Sequence, residues 1–104
     1  MLRFDGLTID PGRRTVTLDG TLRIELTALD FDLLHALAGA PGRVFTRRQL
    51  LERVWSNDFF GDERVVDVHI RTLRRALGDD ADNPHLIGTV RNVGYRLIPP
   101  RQSG

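Results

Sequence analysis

A chain of 104 residues holds a single domain, and 40% hydrophobic with 28% charged residues is ordinary for a soluble globular one. The absence of cysteine excludes a disulfide framework and thiolate metal sites, and no apolar run is long enough to span a bilayer. The formal net charge is only +1, yet all fifteen cations are arginine.

Arginine suits bidentate phosphate and base-edge contacts. A GC-rich genome produces the same bias, so position says more than count. Residues 1–40 carry four arginines against six acids. Residues 43–53 and 64–78 each carry four arginines and one acid, and residues 86–101 carry three and none. Acidic breaks at Asp58, Asp62, Glu63 and at Asp79, Asp80, Asp82 separate these bands. Three basic segments therefore lie under a near-neutral total, a pattern that fits either a polyanion partner or a salt-bridged solvated surface.

The first 26 residues alternate apolar and polar positions between turn signals. Asp5-Gly6, Pro11-Gly12 and Asp19-Gly20 punctuate Leu2–Phe4, Leu7–Asp10, Thr15–Leu18 and Leu22–Leu26. Asp-Gly flanked by such alternation marks a hairpin, so four antiparallel strands are expected.

Helical periodicity follows. Thr27 is placed to cap a first helix, with Asp30 at N3 in capping-box fashion. Leu29, Leu33, Leu34 and Leu37 make its apolar face, with Phe31 at the margin, and Gly39-Ala40-Pro41-Gly42 ends it. Val44-Phe45 is a short extended piece. Thr46 and Gln49 repeat the cap pattern and open a second helix that runs to Trp55, before a loop over 56–61.

A third helix is expected over Glu63 to Leu77, with Asp62 as N-cap and Gly78 as stop. At about 100° per residue, Val66, Ile70, Leu73 and Leu77 fall on one buried line. The opposite side carries Arg64, Val68, Arg71 and Arg75, flanked by Asp67, Thr72 and Arg74. A final hairpin runs from Leu86 to Ile98 through Arg91-Asn92-Val93-Gly94, where Asn92 and Gly94 tolerate positive φ. Pro99-Pro100 closes the domain before a tail.

No Walker A, G-x-G-x-x-G, H-E-x-x-H or G-x-S-x-G pattern is present. His35, His69 and His85 are too dispersed for a local metal motif; His35 reads as helix packing and His85 as loop surface. Neither an enzyme nor a cofactor is expected. What remains is a sheet, three helices and a hairpin. The last two helices resemble a helix-turn-helix with a long turn, and the hairpin reads as a wing. A major groove about 12 Å wide admits one helix, arginines reach phosphates and guanine O6/N7, and a valine can contact a thymine methyl. Arg91 near the wing tip suits the negative potential of a minor groove.

Leu26-Thr27-Ala28-Leu29-Asp30-Phe31-Asp32-Leu33-Leu34 resembles the first-helix signature of the OmpR/PhoB-type winged-helix effector domain. The likeness continues through Arg47–Trp55, through Val66-Asp67-Val68-His69-Ile70-Arg71-Thr72-Leu73-Arg74-Arg75-Ala76-Leu77-Gly78, and through Thr89–Leu97. It covers residues 2–98, in order and at family spacing. The resemblance implies an α+β winged helix-turn-helix domain over 1–98, with the sheet in 1–26, the three-helix core in 27–78, the wing in 86–98 and a tail over 99–104. It implies the output domain of a two-component response regulator, in which receiver phosphorylation promotes dimerisation and two effector domains bind tandem DNA half-sites. The receiver would need more than a hundred further residues N-terminal to this domain. The chain is therefore expected to be an isolated effector domain, a fragment or a stand-alone gene, monomeric off DNA and cytoplasmic.

Carried over by position, Asp67, Val68 and Thr72 would face bases. Trp55, Arg64, His69, Arg71, Arg74, Thr89 and Tyr95 would hold phosphates, joined by Arg75 from the exposed arginine row, and Arg91 would enter the minor groove. The loop 55–62 is where family members touch RNA polymerase. Two departures stand out: Thr72 occupies a position often held by arginine, and Asn92 replaces the usual wing glycine. Structural readings run alongside: a solvated face for the arginines, a core edge for Trp55, packing for His69, and both packing and hydroxyl contact for Tyr95. The rival functions are a protein-interaction module working through 55–62 and an RNA binder. The second is disfavoured by the lack of paired exposed aromatics on a sheet.

Overall fold

Two antiparallel sheets flank three helices in this computed structural model, which describes residues 2–4, 6–55 and 61–98. The first sheet is a meander of β1 (Leu2–Phe4), β2 (Leu7–Asp10), β3 (Thr15–Leu18) and β4 (Leu22–Ile24), in that spatial order. Its register pairs Ile9 with Val16 and Val16 with Ile24, so one face delivers Leu7, Ile9 and Val16 to the core. At the β3–β4 turn Asp19 and Gly20 take φ of 53° and 80°, the left-handed geometry that a tight hairpin needs. At the β2–β3 turn Arg14 clamps the sheet onto the first helix. Its Nη2 donates to Ala28 O at 3.1 Å and Asp32 Oδ1 at 2.9 Å, and its guanidinium lies 4.6 Å from the Phe31 ring centroid.

Helix α1 spans Ala28–Ala38, and the Thr27 hydroxyl accepts the Asp30 N–H at 3.1 Å, as an N-cap should. The reciprocal half of a capping box is not made, because the Asp30 carboxylate turns toward His69 and Thr72 of the third helix instead. Phe31 is buried alongside Leu33, Leu34 and Leu37 rather than sitting at the margin, while Leu29 is only half-buried. The Arg14 guanidinium from the β2–β3 turn lies over the Phe31 ring, a contact that a helical wheel alone does not reveal. His35 is exposed, with a tilted ring contact to Phe31, rather than packed. The helix ends at Gly39, which stays right-handed at φ −65°; the left-handed glycine is Gly42 at φ 84°. Gly42 N–H donates to Leu97 O at 2.8 Å, so the turn after α1 is tied to the last strand.

Strand β5 (Phe45–Thr46) leads into α2, which begins as Arg47–Leu50 and continues as a π-helical turn over Leu51–Trp55. Here the capping box is complete: Gln49 N–H donates to Thr46 Oγ1 at 3.1 Å and Thr46 N–H to Gln49 Oε1 at 2.9 Å. Helix α3 (Arg64–Leu77) starts one residue later than expected, with Glu63 at the N-cap and making no side-chain cap bond. Asp62 still supplies an oxygen, accepting Arg64 N–H at 2.9 Å. Gly78 closes the helix at φ 71°, followed by a bond from Asp79 N–H to Arg74 O at 2.8 Å.

The second sheet has order β5-β7-β6, with β6 at Ile87–Val90 and β7 at Gly94–Leu97. The hairpin alone is predictable from its own residues; the addition of β5, some fifty residues earlier, is not. Asn92 takes the left-handed conformation at φ 65°. Gly94 does not, and its requirement is close packing: an added Cβ would fall 1.9 Å from Phe45 O. One core joins all layers, with Leu33, Leu50, Ile70, Leu73, Ile87 and Leu97 almost fully buried. Each such side chain contributes on the order of 1.5–3 kcal/mol.

Candidate nucleic-acid interface

The site is built on α3. Val66, Ile70, Leu73 and Leu77 hold the helix down, which leaves the opposite row of Arg64, Val68, Arg71 and Arg75 exposed. Arg71 and Arg75 have no ion-pair partner among the described residues. Arg64 has a loose one, Nε to Asp62 Oδ2 at 3.6 Å with the Arg64 side chain 85% exposed. A pair so open contributes little and competes weakly with a phosphate. Val68 is 57% exposed, an apolar residue amid cations. Arg91 stands exposed in the wing turn, next to the also exposed Val93.

Several other candidate residues are engaged with one another. Asp67 Oδ1 pairs with Arg47 Nε at 3.1 Å and accepts the Tyr95 hydroxyl at 2.5 Å. This joins α3, the start of α2 and β7 at one carboxylate. Burial, reinforced by the bond to Asp67 and its negative charge, pushes the Tyr95 phenol up to about 12, against the opposing influence of Arg47 and Arg74. Asp67 and Tyr95 thus bind each other, and Asp67 Oδ2 is the oxygen left over.

Arg74 is placed differently from the outward phosphate contact that its position in the sequence suggests. It is buried, and its Nη2 donates to Ile87 O at 2.9 Å and Thr89 Oγ1 at 2.6 Å. Its guanidinium lies 5.7 Å from the Tyr95 ring centroid, and its Nε is buried without a partner. Arg74 therefore fastens the wing to α3, and the Thr89 hydroxyl serves that bond.

His69 and Thr72 turn toward α1. Asp30 is 4% exposed; its Oδ1 lies 2.9 Å from His69 Nδ1, and its Oδ2 accepts the Thr72 hydroxyl at 2.8 Å. A carboxylate only accepts, so His69 Nδ1 carries the proton and Nε2 is the ring nitrogen left for any further partner. Trp55 meets the His69 ring edge-on, centroids 5.5 Å apart. Asp30 and Arg47 are not site candidates on sequence grounds: Asp30 reads as part of a helix cap, whereas Arg47 stands openly in the 43–53 basic band.

Two clefts border α3. One of about 330 Å³ lies against the wing and is lined by Arg47, Glu63, Thr89, Asn92 and Tyr95 among others. The other, about 450 Å³, includes Arg71, Arg74, Arg75 and Asp79 in its lining. Asp79, nominally part of an acidic break, accepts the backbone N–H groups of His85, Leu86 and Ile87 and so sets the approach to the wing. Among the described residues no helix is long and apolar enough to cross a membrane. The expected polymerase-facing loop falls largely on residues 56–60, and the tail on 99–104, both outside the described residues.

A sheet, three helices and a β-hairpin packed beside the last helix define a winged helix-turn-helix domain. Residues 21–97 match the family described as "Transcriptional regulatory protein, C terminal". The chain is 46% identical over 100 residues to the DNA-binding response regulator MtrA of Mycolicibacterium smegmatis, covering 96% of this chain and 43% of that protein. It is 44% identical over 98 residues to the transcriptional regulatory protein AfsQ1 of Streptomyces coelicolor, covering 94% and 43%. The chain thus spans less than half the length of these curated relatives. Among solved structures, the Klebsiella pneumoniae RstA DNA-binding domain in complex with the RstA box superposes with a TM-score of 0.86 at 42% identity, covering 93% of this chain and 95% of that one. The response regulator DrrB of Thermotoga maritima superposes at 0.83 with 40% identity, over 92% and 43%. The chain belongs to the OmpR/PhoB-type family of response-regulator DNA-binding domains.

Proposed function

We propose that this domain binds double-stranded DNA sequence-specifically and serves as the transcriptional output domain of a bacterial response regulator. The observation that carries the reading is the two-sided character of α3. Its aliphatic stripe is buried, and its outer row offers Arg64, Arg71 and Arg75 around an exposed Val68. In this reading α3 enters the major groove, with Val68 and Thr72 against base edges and Asp67 Oδ2 available to accept from a base amino group. Arg64, Arg71 and Arg75 take phosphates, and Arg91 reaches the flanking minor groove. Arg74, Thr89 and Tyr95 act by holding the wing and α3 in register, and Trp55 and His69 by supporting α3 from behind.

The family resemblance extends the proposal to a receiver domain N-terminal to this one, tandem half-sites, a cytoplasmic setting and polymerase contact through 55–62. Duplex fragments selected by the chain from random-sequence DNA test the reading. Affinity for the selected duplex exceeds that for unrelated duplex, and both fall steeply with salt as counterions are released. Equal affinity for every sequence, or none for duplex DNA, contradicts it.

A further inference from the structure

We infer that Asp30, a residue of α1, sets the specificity of α3 by turning the Thr72 hydroxyl inward, so that Thr72 presents its methyl group to DNA. This inference rests on the DNA-binding reading above and names the chemistry that reading leaves open. Thr72 is exposed, yet its single hydroxyl hydrogen has two inward acceptors, Asp30 Oδ2 at 2.8 Å and His69 O at 3.0 Å. Asp30 cannot swing away cheaply. Its carboxylate is buried and also takes His69 Nδ1, so leaving Thr72 would strand a buried acceptor.

A threonine free at this position would offer a donor to guanine O6/N7, adenine N7 or thymine O4. With its proton committed, the hydroxyl keeps only acceptor capacity, and Cγ2 and Cβ are the apolar surface the side chain has to offer. Val68, four residues earlier on the same helix, is 57% exposed and also apolar at its tip. Asp67 beside them has Oδ1 committed to Arg47 and Tyr95. Of the three residues placed against bases, Val68 and Thr72 are methyl-bearing, and none of Asp67, Val68 and Thr72 has an uncommitted hydrogen-bond donor. The C5-methyl of thymine is the base-edge group that such a surface matches. The substrate class is duplex DNA with thymines at the positions under Val68 and Thr72.

The test uses the 104-residue chain and a duplex it selects from random-sequence DNA, with each thymine replaced in turn by deoxyuridine, which differs only in lacking the methyl. The expected result is a loss of about three- to fivefold in affinity at specific thymines, the worth of one buried methyl group. Thr72→Val, which keeps the methyl and removes the hydroxyl, retains that loss at every such thymine. Thr72→Ser, which keeps the hydroxyl and removes the methyl, abolishes it at one of them. The inference is overturned if no thymine is sensitive to methyl removal, or if Thr72→Ser matches the wild type while Thr72→Val shifts the preferred base. Either result, with sequence-selective binding intact, leaves the DNA-binding reading standing; failure to bind any duplex overturns both.

Discussion

Asp30 in α1 and His69 in α3 are 39 positions apart in sequence and meet through Oδ1 and Nδ1 at 2.9 Å, with the Thr72 hydroxyl on the other carboxylate oxygen. One buried acid thereby fixes the roll of α3 about its axis from behind. The helix can point its arginine row outward only if its inner face is held, and Asp30 adds direction to what the aliphatic stripe supplies in area.

Asp30→Ala removes both bonds and leaves His69 Nδ1–H and the Thr72 hydroxyl to find other partners. The expected cost is about 2–3 kcal/mol, two bonds to an ionisable acceptor less what solvent restores. Urea unfolding checks it. Asp30→Asn, which retains a carbonyl oxygen, costs less. Equal stability of the wild type and Asp30→Ala would show that the network does not hold the helices together.

Tyr95 makes a clean alkaline probe, because the chain has one tyrosine, no lysine and no cysteine. The folded phenol titrates at about 12 against 10.0 for an ordinary tyrosine, chiefly through burial and then through Asp67. A phenol whose folded value is raised favours folding fully below pH 10 and loses that contribution as pH climbs from 10 through 12. Stability should therefore fall across that window in the wild type and stay flatter in Tyr95→Phe. Denaturant midpoints at stepped pH check this, with tyrosinate absorbance reporting the titration. A phenol titrating near 10 in the folded domain refutes its burial against Asp67.

Gly94→Ala should be severely destabilising, by about 2–4 kcal/mol, since its Cβ would collide with the Phe45 carbonyl where β5 joins β7. Gly88→Ala is the control in the adjoining strand: its nearest neighbour is the Ile98 side chain at 3.3 Å, which can shift. Thermal denaturation separates the two. Comparable stability of both variants would mean that β5 does not lie on β7 as described.

How much of this was legible beforehand follows the range of each interaction. Thr27 and Thr46 cap their helices and Gly78 stops α3 because those signals act within a few residues. The Asp19-Gly20 turn and the buried line of α3 are equally local. Asp30 reads locally as half of a capping box, because its partners lie on another helix. Gly94 suggests a φ requirement from its turn context, whereas it answers to Phe45 across the sheet. Phe31 is buried beneath Arg14, seventeen residues earlier in the chain, which the helix's own pattern does not show. Arg74 lies on the flank of the helical wheel, nearer the buried line than Arg71 or Arg75, but the partners that hold it, Ile87 and Thr89, are on the wing and lie beyond any local rule.

That distinction yields a prediction of its own. Arg74→Ala removes the bonds to Ile87 O and Thr89 and strands a buried carbonyl, so it lowers stability by about 2–3 kcal/mol along with DNA affinity. Arg71→Ala, from an exposed position, leaves the unfolding midpoint within error of the wild type while weakening binding. Paired denaturation and binding curves for the two variants check the division. Reversed stability effects would mean that the placement of these arginines is wrong.

Engagement of DNA phosphates by the exposed arginines of α3 is measured by duplex affinity across a salt series for the wild type and Arg71→Ala. For the wild type, log affinity should fall linearly with log salt at about −0.9 per neutralised phosphate, with a slope of several units. Arg71→Ala should weaken binding to all sequences alike and reduce the slope by about one. A salt-independent affinity, or identical slopes for the two proteins, would mean that these arginines do not hold phosphates.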